Sequence, residues 1–185
     1  MTRDAEATKE RLVFAARKMF SERGFDSTTV REIAALAEVN PALINRYFGG
    51  KDQLFAEAVS IDLALPDLSE TKREAVGATL AMHFFKRWEG DEHDDLLQVL
   101  IRTAATNREA AARIQEVLGR QVTPMIASLS DPATASQRAY FVATQILGLA
   151  YTRYVLGLPT KDIEHARLVS VIGDTLQRYI LEPLP

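Results

Sequence analysis

Asn45, Arg46 and Tyr47 stand in a row, with Lys51 just after them and Arg31 one helix before. An asparagine amide can pair with adenine in a major groove through two hydrogen bonds, and Arg46 projects beside it as a second candidate for reading a base. Side chains that read bases need a rigid element to carry them, and the flanking residues supply one. Thr29 can cap a short helix while Glu32 reaches back to it, a T-x-x-E capping box. Val30, Ile33, Ala34 and Ala37 recur at helical spacing and form its buried face. Asn40-Pro41 restarts a helix, with Asn as N-cap and Pro at the first position. Leu43, Ile44 and Phe48 can point inward, leaving Pro41, Ala42, Asn45, Arg46 and Tyr47 toward solvent. Gly49-Gly50 stops this helix and Lys51-Asp52 opens the next. Helix, tight turn and helix make a helix-turn-helix, whose second helix can enter a DNA major groove.

Other chemistries find little support. His83, His93 and His165 are far apart, and none sits in H-E-x-x-H spacing. There is no G-x-S-x-G elbow and no phosphate-binding glycine loop. The acidic stretch Glu89, Asp91, Glu92, His93, Asp94, Asp95 offers carboxylates that hard cations favour, but it lacks calcium-loop spacing and reads as a solvated helix start. The expectation is no catalytic residue, no metal and no cofactor.

At 185 residues the chain suits one domain, or a small head and a larger core. Its 47% hydrophobic and 25% charged residues are ordinary for a globular protein. The polar N-terminus MTRDAEATKERL has no apolar stretch of the signal-peptide kind, and no run reaches the ~18 apolar residues of a membrane span. Absence of cysteine excludes disulfides and thiolate metal sites and suits the cytoplasm. The net charge of −3 lacks the basic excess usual in nucleic-acid binders. Phosphate contact depends on local placement, so the expectation is modest non-specific affinity with a shallow salt slope.

The fold expected is all-α, with about nine helices and no strands. The first runs from about Ala7 to Arg23, with Leu12, Ala15, Ala16, Met19 and Phe20 on one face. After the two short helices, a fourth spans Lys51 to about Leu63, and Pro66 separates this region from the rest of the chain. A fifth covers about Glu70 to Trp88, a sixth begins near Asp94-Asp95, and a seventh is bent at Pro124. The eighth starts at Asp131-Pro132 and runs to Gly157, and the ninth starts at Pro159-Thr160 and runs to about Leu181. The last two are apolar nearly all round, so a partner subunit is the simplest cover, in a four-helix bundle across a two-fold axis. Gly148 and Gly173 would allow close approach there. The expected interface is Ile146, Leu147, Tyr154, Val155, Val171, Ile172 and Leu176.

FSERGFDSTTV, REIA, PALINRYF and GKDQLF succeed one another in an order and spacing that resembles the DNA-binding domain of the TetR family of bacterial transcriptional regulators, over roughly Glu6 to Ser60. The resemblance implies a helix-turn-helix domain over residues 1–50 and a helical effector-binding and dimerisation domain over 51–185. It also implies that Lys51, Tyr47 and Thr29 contact phosphate. Thr28, Thr29, Arg31, Pro41, Ala42, Asn45, Arg46, Tyr47 and Lys51 are then the DNA-contact set, on a double-stranded operator. A pocket for a partly apolar small molecule is implied among helices four to eight, with Met82, His83, Phe85, Trp88, Arg102, Met125, Tyr140, Gln145 and Tyr151 as its candidates. Three residues depart from the family pattern. Glu38 stands where a turn glycine is usual, and a positive φ there costs a non-glycine residue. Asn45 replaces a frequent aromatic, and Gly50 replaces the more usual Ser or Thr cap. The reading is a cytoplasmic homodimeric repressor released by an effector. If Glu38 and Asn45 impair the head, an interaction protein is the alternative.

Overall fold

The computed structural model describes residues 2–59, 61–90 and 95–184. Among them no strand occurs, and ten α-helical segments succeed one another. These are α1 (Thr2–Arg23), α2 (Val30–Leu36), α3 (Ala42–Phe48), α4 (Lys51–Ala58), α5 (Val76–Glu89), α6 (Asp95–Thr103), α7 (Arg108–Val117), α8 (Thr123–Leu129), α9 (Ala135–Ala150) and α10 (His165–Leu181). A π-helical turn, Leu118–Val122, continues α7 into α8, so the rods number nine. The chain divides into two compact units, residues 1–61 with 95–114, and residues 62–94 with 115–185.

The first unit closes on the apolar stripe of α1. Leu12, Ala15, Ala16, Met19 and Phe20 are buried against Ile33, Ala34 and Ile44 from the two short helices and Leu54 and Phe55 from α4. Phe20, Phe25 and Phe55 form an aromatic trio with centroids 4.9 to 5.9 Å apart, in which Phe55 meets both others edge-on. Such pairs add to the burial of their ring area. α6 belongs to this unit and packs on α1, burying Leu96, Val99, Leu100 and Ile101.

The second unit is organised by α5 and α10. A Cβ added at Gly77 would lie 2.2 Å from the Gly173 carbonyl oxygen, so the two backbones touch at a glycine pair. Gln177 locks the crossing: its side-chain oxygen accepts the Gly77 N–H at 2.7 Å and its amide donates to the Arg73 carbonyl at 2.7 Å. Val76, Leu80, Ala81, Val122, Ile126, Ala139, Val142, Ile172, Leu176 and Ile180 share one buried cluster. This corrects two expected interface residues. Ile172 and Leu176 are 8% and 1% exposed inside their own unit, because α5 covers that face of α10.

Several helix ends differ from expectation for local reasons. α4 stops at Ala58 rather than near Leu63, and Asp62 Oδ1 then takes the Ala64 N–H in an Asx turn. α5 begins at Val76 instead of Glu70, after a 3₁₀ turn over Arg73–Ala75. α10 begins at His165, not at Pro159-Thr160. The expected bend at Pro124 is a wide π-turn just before it. Proline has no N–H for the carbonyl four residues back and its ring would strike it, so the preceding turn opens. The Thr123 N–H accordingly bonds Leu118 O.

Candidate nucleic-acid interface

α2 is only seven residues long, too short to persist by propensity alone, and its ends are closed by specific bonds. Thr29 Oγ1 accepts the Glu32 N–H at 3.3 Å, and Glu32 Oε2 accepts the Thr29 N–H at 3.0 Å. The Thr29 hydroxyl also donates to that carboxylate at 2.6 Å, and Arg23 Nη1 lies 3.0 Å from its other oxygen. The Thr29 bonds, hydroxyl first, and then Arg23 hold the Glu32 carboxyl below its ordinary pKa.

At the other end Val39 N–H reaches Ala34 O at 2.9 Å and Glu38 N–H reaches Ala35 O at 3.1 Å, the bond pair of a Schellman turn. Glu38 takes its left-handed position at φ 55°. This is the conformation expected from the missing glycine.

Asn40 Oδ1 accepts the Ala42 N–H at 2.8 Å and Pro41 already has helical angles, so α3 begins as Asn-cap and proline start. Ile44 is fully buried and fixes the helix to the head, while Leu43 and Phe48 are half-buried. Pro41, Ala42, Asn45 and Arg46 are exposed along the opposite side, and Arg31 is exposed on α2. Tyr47 is half-buried, with Arg46 and Lys9 cations 5.8 and 6.0 Å from its ring centre. Lys51 is half-buried, its ammonium 4.2 Å above the Phe25 ring. The ammonium is thereby tied to the aromatic trio under α4. Gly49 at φ 88° and Gly50 at φ 150° join α3 to α4, and both angles favour glycine. Gly50 is therefore more than an acceptable cap, since its backbone angle suits no side chain.

Thr28 is placed otherwise than expected. It is fully buried, and its hydroxyl donates to the carbonyls of Gly24 at 2.8 Å and Met19 at 3.3 Å. It ties the end of α1 to the start of α2 and presents nothing to a ligand.

The residues expected to line an effector pocket are spread. Arg102 is exposed on α6 of the first unit, and the other eight lie in the second. Phe85 is 1% exposed and packs edge-on against His165. Tyr140 at 67% and Met82 at 54% lie open, and Tyr151 is also exposed. His83, Trp88, Met125 and Gln145 are half-buried. Around Trp88 the second unit builds a polar and aromatic knot. Tyr154 stacks on Trp88 at 4.5 Å and donates to Glu89 Oε1 at 2.7 Å, to which Arg153 Nε also donates at 2.8 Å. His165 Nδ1 is 3.6 Å from the other Glu89 oxygen. Burial alone would raise the Glu89 pKa, but the bonds from Tyr154 and Arg153 outweigh it and hold it low. Burial first, and then its bond to Glu89, raises the Tyr154 pKa. The acidic positions 91–94 lie outside the described residues. Among the described residues no cluster of His, Cys, Asp and Glu could hold a metal, and no helix is long and apolar enough to cross a membrane.

The N-terminal region, residues 12–58, matches the model of bacterial regulatory proteins of the tetR family. Residues 74–180, more than half the chain, match the tetracyclin repressor-like C-terminal domain. The chain belongs to the TetR family. It is a DNA-binding transcriptional regulator, of a family that regulates transcription rather than catalyses reactions. This TetR-family chain is 29% identical over 161 residues to the HTH-type transcriptional regulator BetI of Brucella anthropi, covering 80% of this chain and 82% of that one. A probable HTH-type transcriptional regulator of Bacillus subtilis, YttP, is 44% identical over 54 residues, 29% of this chain and only 26% of its own length. A TetR-family regulator from Streptomyces coelicolor A3 superposes with a TM-score of 0.58 at 26% identity, covering 95% of both chains.

Sequence reasoning missed Arg138. This TetR-family side chain is 8% exposed on α9, where Nη1 donates to the carbonyls of Tyr179, Ile180 and Glu182 at 2.9 to 3.0 Å. A cation at the negative end of α10 satisfies carbonyls the helix leaves open. Its signal was an arginine placed beside the apolar run AYFVATQIL.

Proposed function

We propose that this regulator is a homodimeric repressor of a palindromic operator, released when a small molecule binds its second unit. The observation that carries the DNA reading is the exposed row of Asn45 and Arg46 on a helix pinned by buried Ile44 and capped by Asn40. Asn45 and Arg46 read bases, while Lys51, Tyr47, Thr29 and Arg31 grip the backbone; Pro41 and Ala42 pack against the groove. The two recognition helices of a dimer then meet half-sites about one helical turn apart. Dimerisation uses α9, α10 and the turn that follows α9, with Ile146, Leu147, Val155 and Val171. The effector is partly apolar and meets Met82, Trp88 and Met125, with His83 and Gln145 as polar contacts. The protein works in the cytoplasm, where its DNA is.

Selection from a random duplex library tests the reading, with wild type and Arg46→Ala run side by side. A palindrome is expected for wild type, and Arg46→Ala should bind it more weakly by about 1–3 kcal/mol with relaxed preference at one position. Lys51→Ala should weaken all sequences alike. No enrichment at low salt, where phosphate attraction is strongest, would overturn the reading in favour of an interaction protein.

A further inference from the structure

Lys51 is the first residue of α4, where the helix's own positive end disfavours a cation. The two residues before it are glycines and bring no side chain to steady it. Among the described residues no carboxylate pairs with its ammonium, which stands instead over the Phe25 ring, 4.2 Å from the centroid. That ring has little freedom of its own. Phe25 meets Phe55, one turn after Lys51 on α4, at 4.9 Å between centroids, and Phe20 of α1 at 5.9 Å. Phe20 and Phe55 are both fully buried, so α1 and α4 together fix the ring beneath the ammonium.

Two other cations of the head are held differently. Lys9 lies 3.6 Å from Glu6, and Arg23 lies 3.0 Å from Glu32. A carboxylate neutralises the cation it holds and must be displaced before that cation serves a phosphate. An aromatic face attracts a cation through its quadrupole and accepts it without cancelling its charge, leaving N–H donors free on the open side. A lysine so held also gives up less rotamer freedom when it grips an anion.

We propose that Phe25 is a positioning residue for DNA binding: its ring holds the Lys51 ammonium, with its charge intact, where an operator phosphate passes. The inference rests on the DNA-binding reading and adds to it a residue that itself touches no DNA.

Proton NMR and duplex titration on the full-length protein test it together. The ring current should shift the Lys51 ε-methylene protons upfield in wild type, both free and bound to the selected duplex. Phe25→Leu should remove the shift and weaken duplex binding by about two- to fivefold, the size of an exposed cation–π contact. Phe25→Tyr keeps the ring face and should keep both the shift and the affinity. To separate this from a loosened head, Phe25→Leu is repeated on Lys51→Met, which keeps the side-chain length without the charge. Lys51→Met should itself bind less tightly, with a salt slope lower by about one phosphate. On that background Phe25→Leu should cost nothing further, whereas a loosened head would cost the same on both. Three results each overturn the inference and leave the DNA-binding reading standing: a Phe25→Leu that binds like wild type, an equal loss on Lys51→Met, or a ring-current shift that vanishes when duplex binds. A wild type that selects no duplex overturns the DNA-binding reading, and the inference with it.

Discussion

The helix-turn-helix is closed by bonds between near neighbours in the chain, three residues apart at the Thr29–Glu32 box and two apart at Asn40–Ala42. The α5–α10 crossing joins residues 100 and 104 apart, through Gln177 to Gly77 and Arg73. Local closure leaves the outward face of α3 free to vary, because nothing in the head needs Asn45 or Arg46 to hold its shape. Long-range closure allows no such freedom, since both partners must keep their size at once. The outward face of α3 is therefore tolerant and the second unit's centre is not.

The largest effect should come from a place where the head too depends on distant contacts. Phe55→Ala removes the centre of the aromatic trio under α4 and should destabilise the head by about 3–5 kcal/mol in denaturant titration. Gly77→Ala should cost about 1–3 kcal/mol, or more, because α5 must lift from the Gly173 carbonyl. A variant melting like wild type would show that the crossing is looser than its geometry states. Glu38→Gly should raise the stability of the head by about 1 kcal/mol, by relieving the left-handed angle of a residue with a side chain. A loss of stability there would mean that the carboxylate has a structural partner of its own. The smallest effect concerns acid. Glu89 has a folded pKa held below its ordinary 4.5, so it adds stability above that value and loses it as pH falls through the folded pKa. Glu89→Gln should flatten the acid side of the stability curve by about 1 kcal/mol or less, since the group is partly exposed. An unchanged acid limb would place the titration elsewhere, with Glu32 next to be replaced.

The same contrast explains how much could be read from the chain. The capping box, the Asn-Pro start, the positive φ at Glu38 and the outward set on α3 are dictated by residues within a few positions of one another. Pro124 likewise announced a disturbed helix, though nothing local says that the disturbance is a π winding. Thr28 defeated the same reasoning because its hydroxyl turns inward to the end of another helix, which no periodicity shows. Ile172 and Leu176 were assigned to a partner because α10 is apolar on more than one side. Periodicity cannot say which of those sides the chain covers itself, and the glycine pair that brings α5 onto it is silent in sequence. Arg138 looked like any helical arginine until its target carbonyls, more than forty residues away, came into view.

Glycine contact between α5 and α10 also sets the kinematics of the second unit. Side chains that interdigitate can slide by small steps, as packed helices do in shear motions. Two backbones pressed together, with Gln177 of α10 bonded to Gly77 and to Arg73 just before α5, have no such play. α5 and α10 must translate and rotate as one body, and any change of shape around them has to be borne by α8, α9 and the π-turn between α7 and α8.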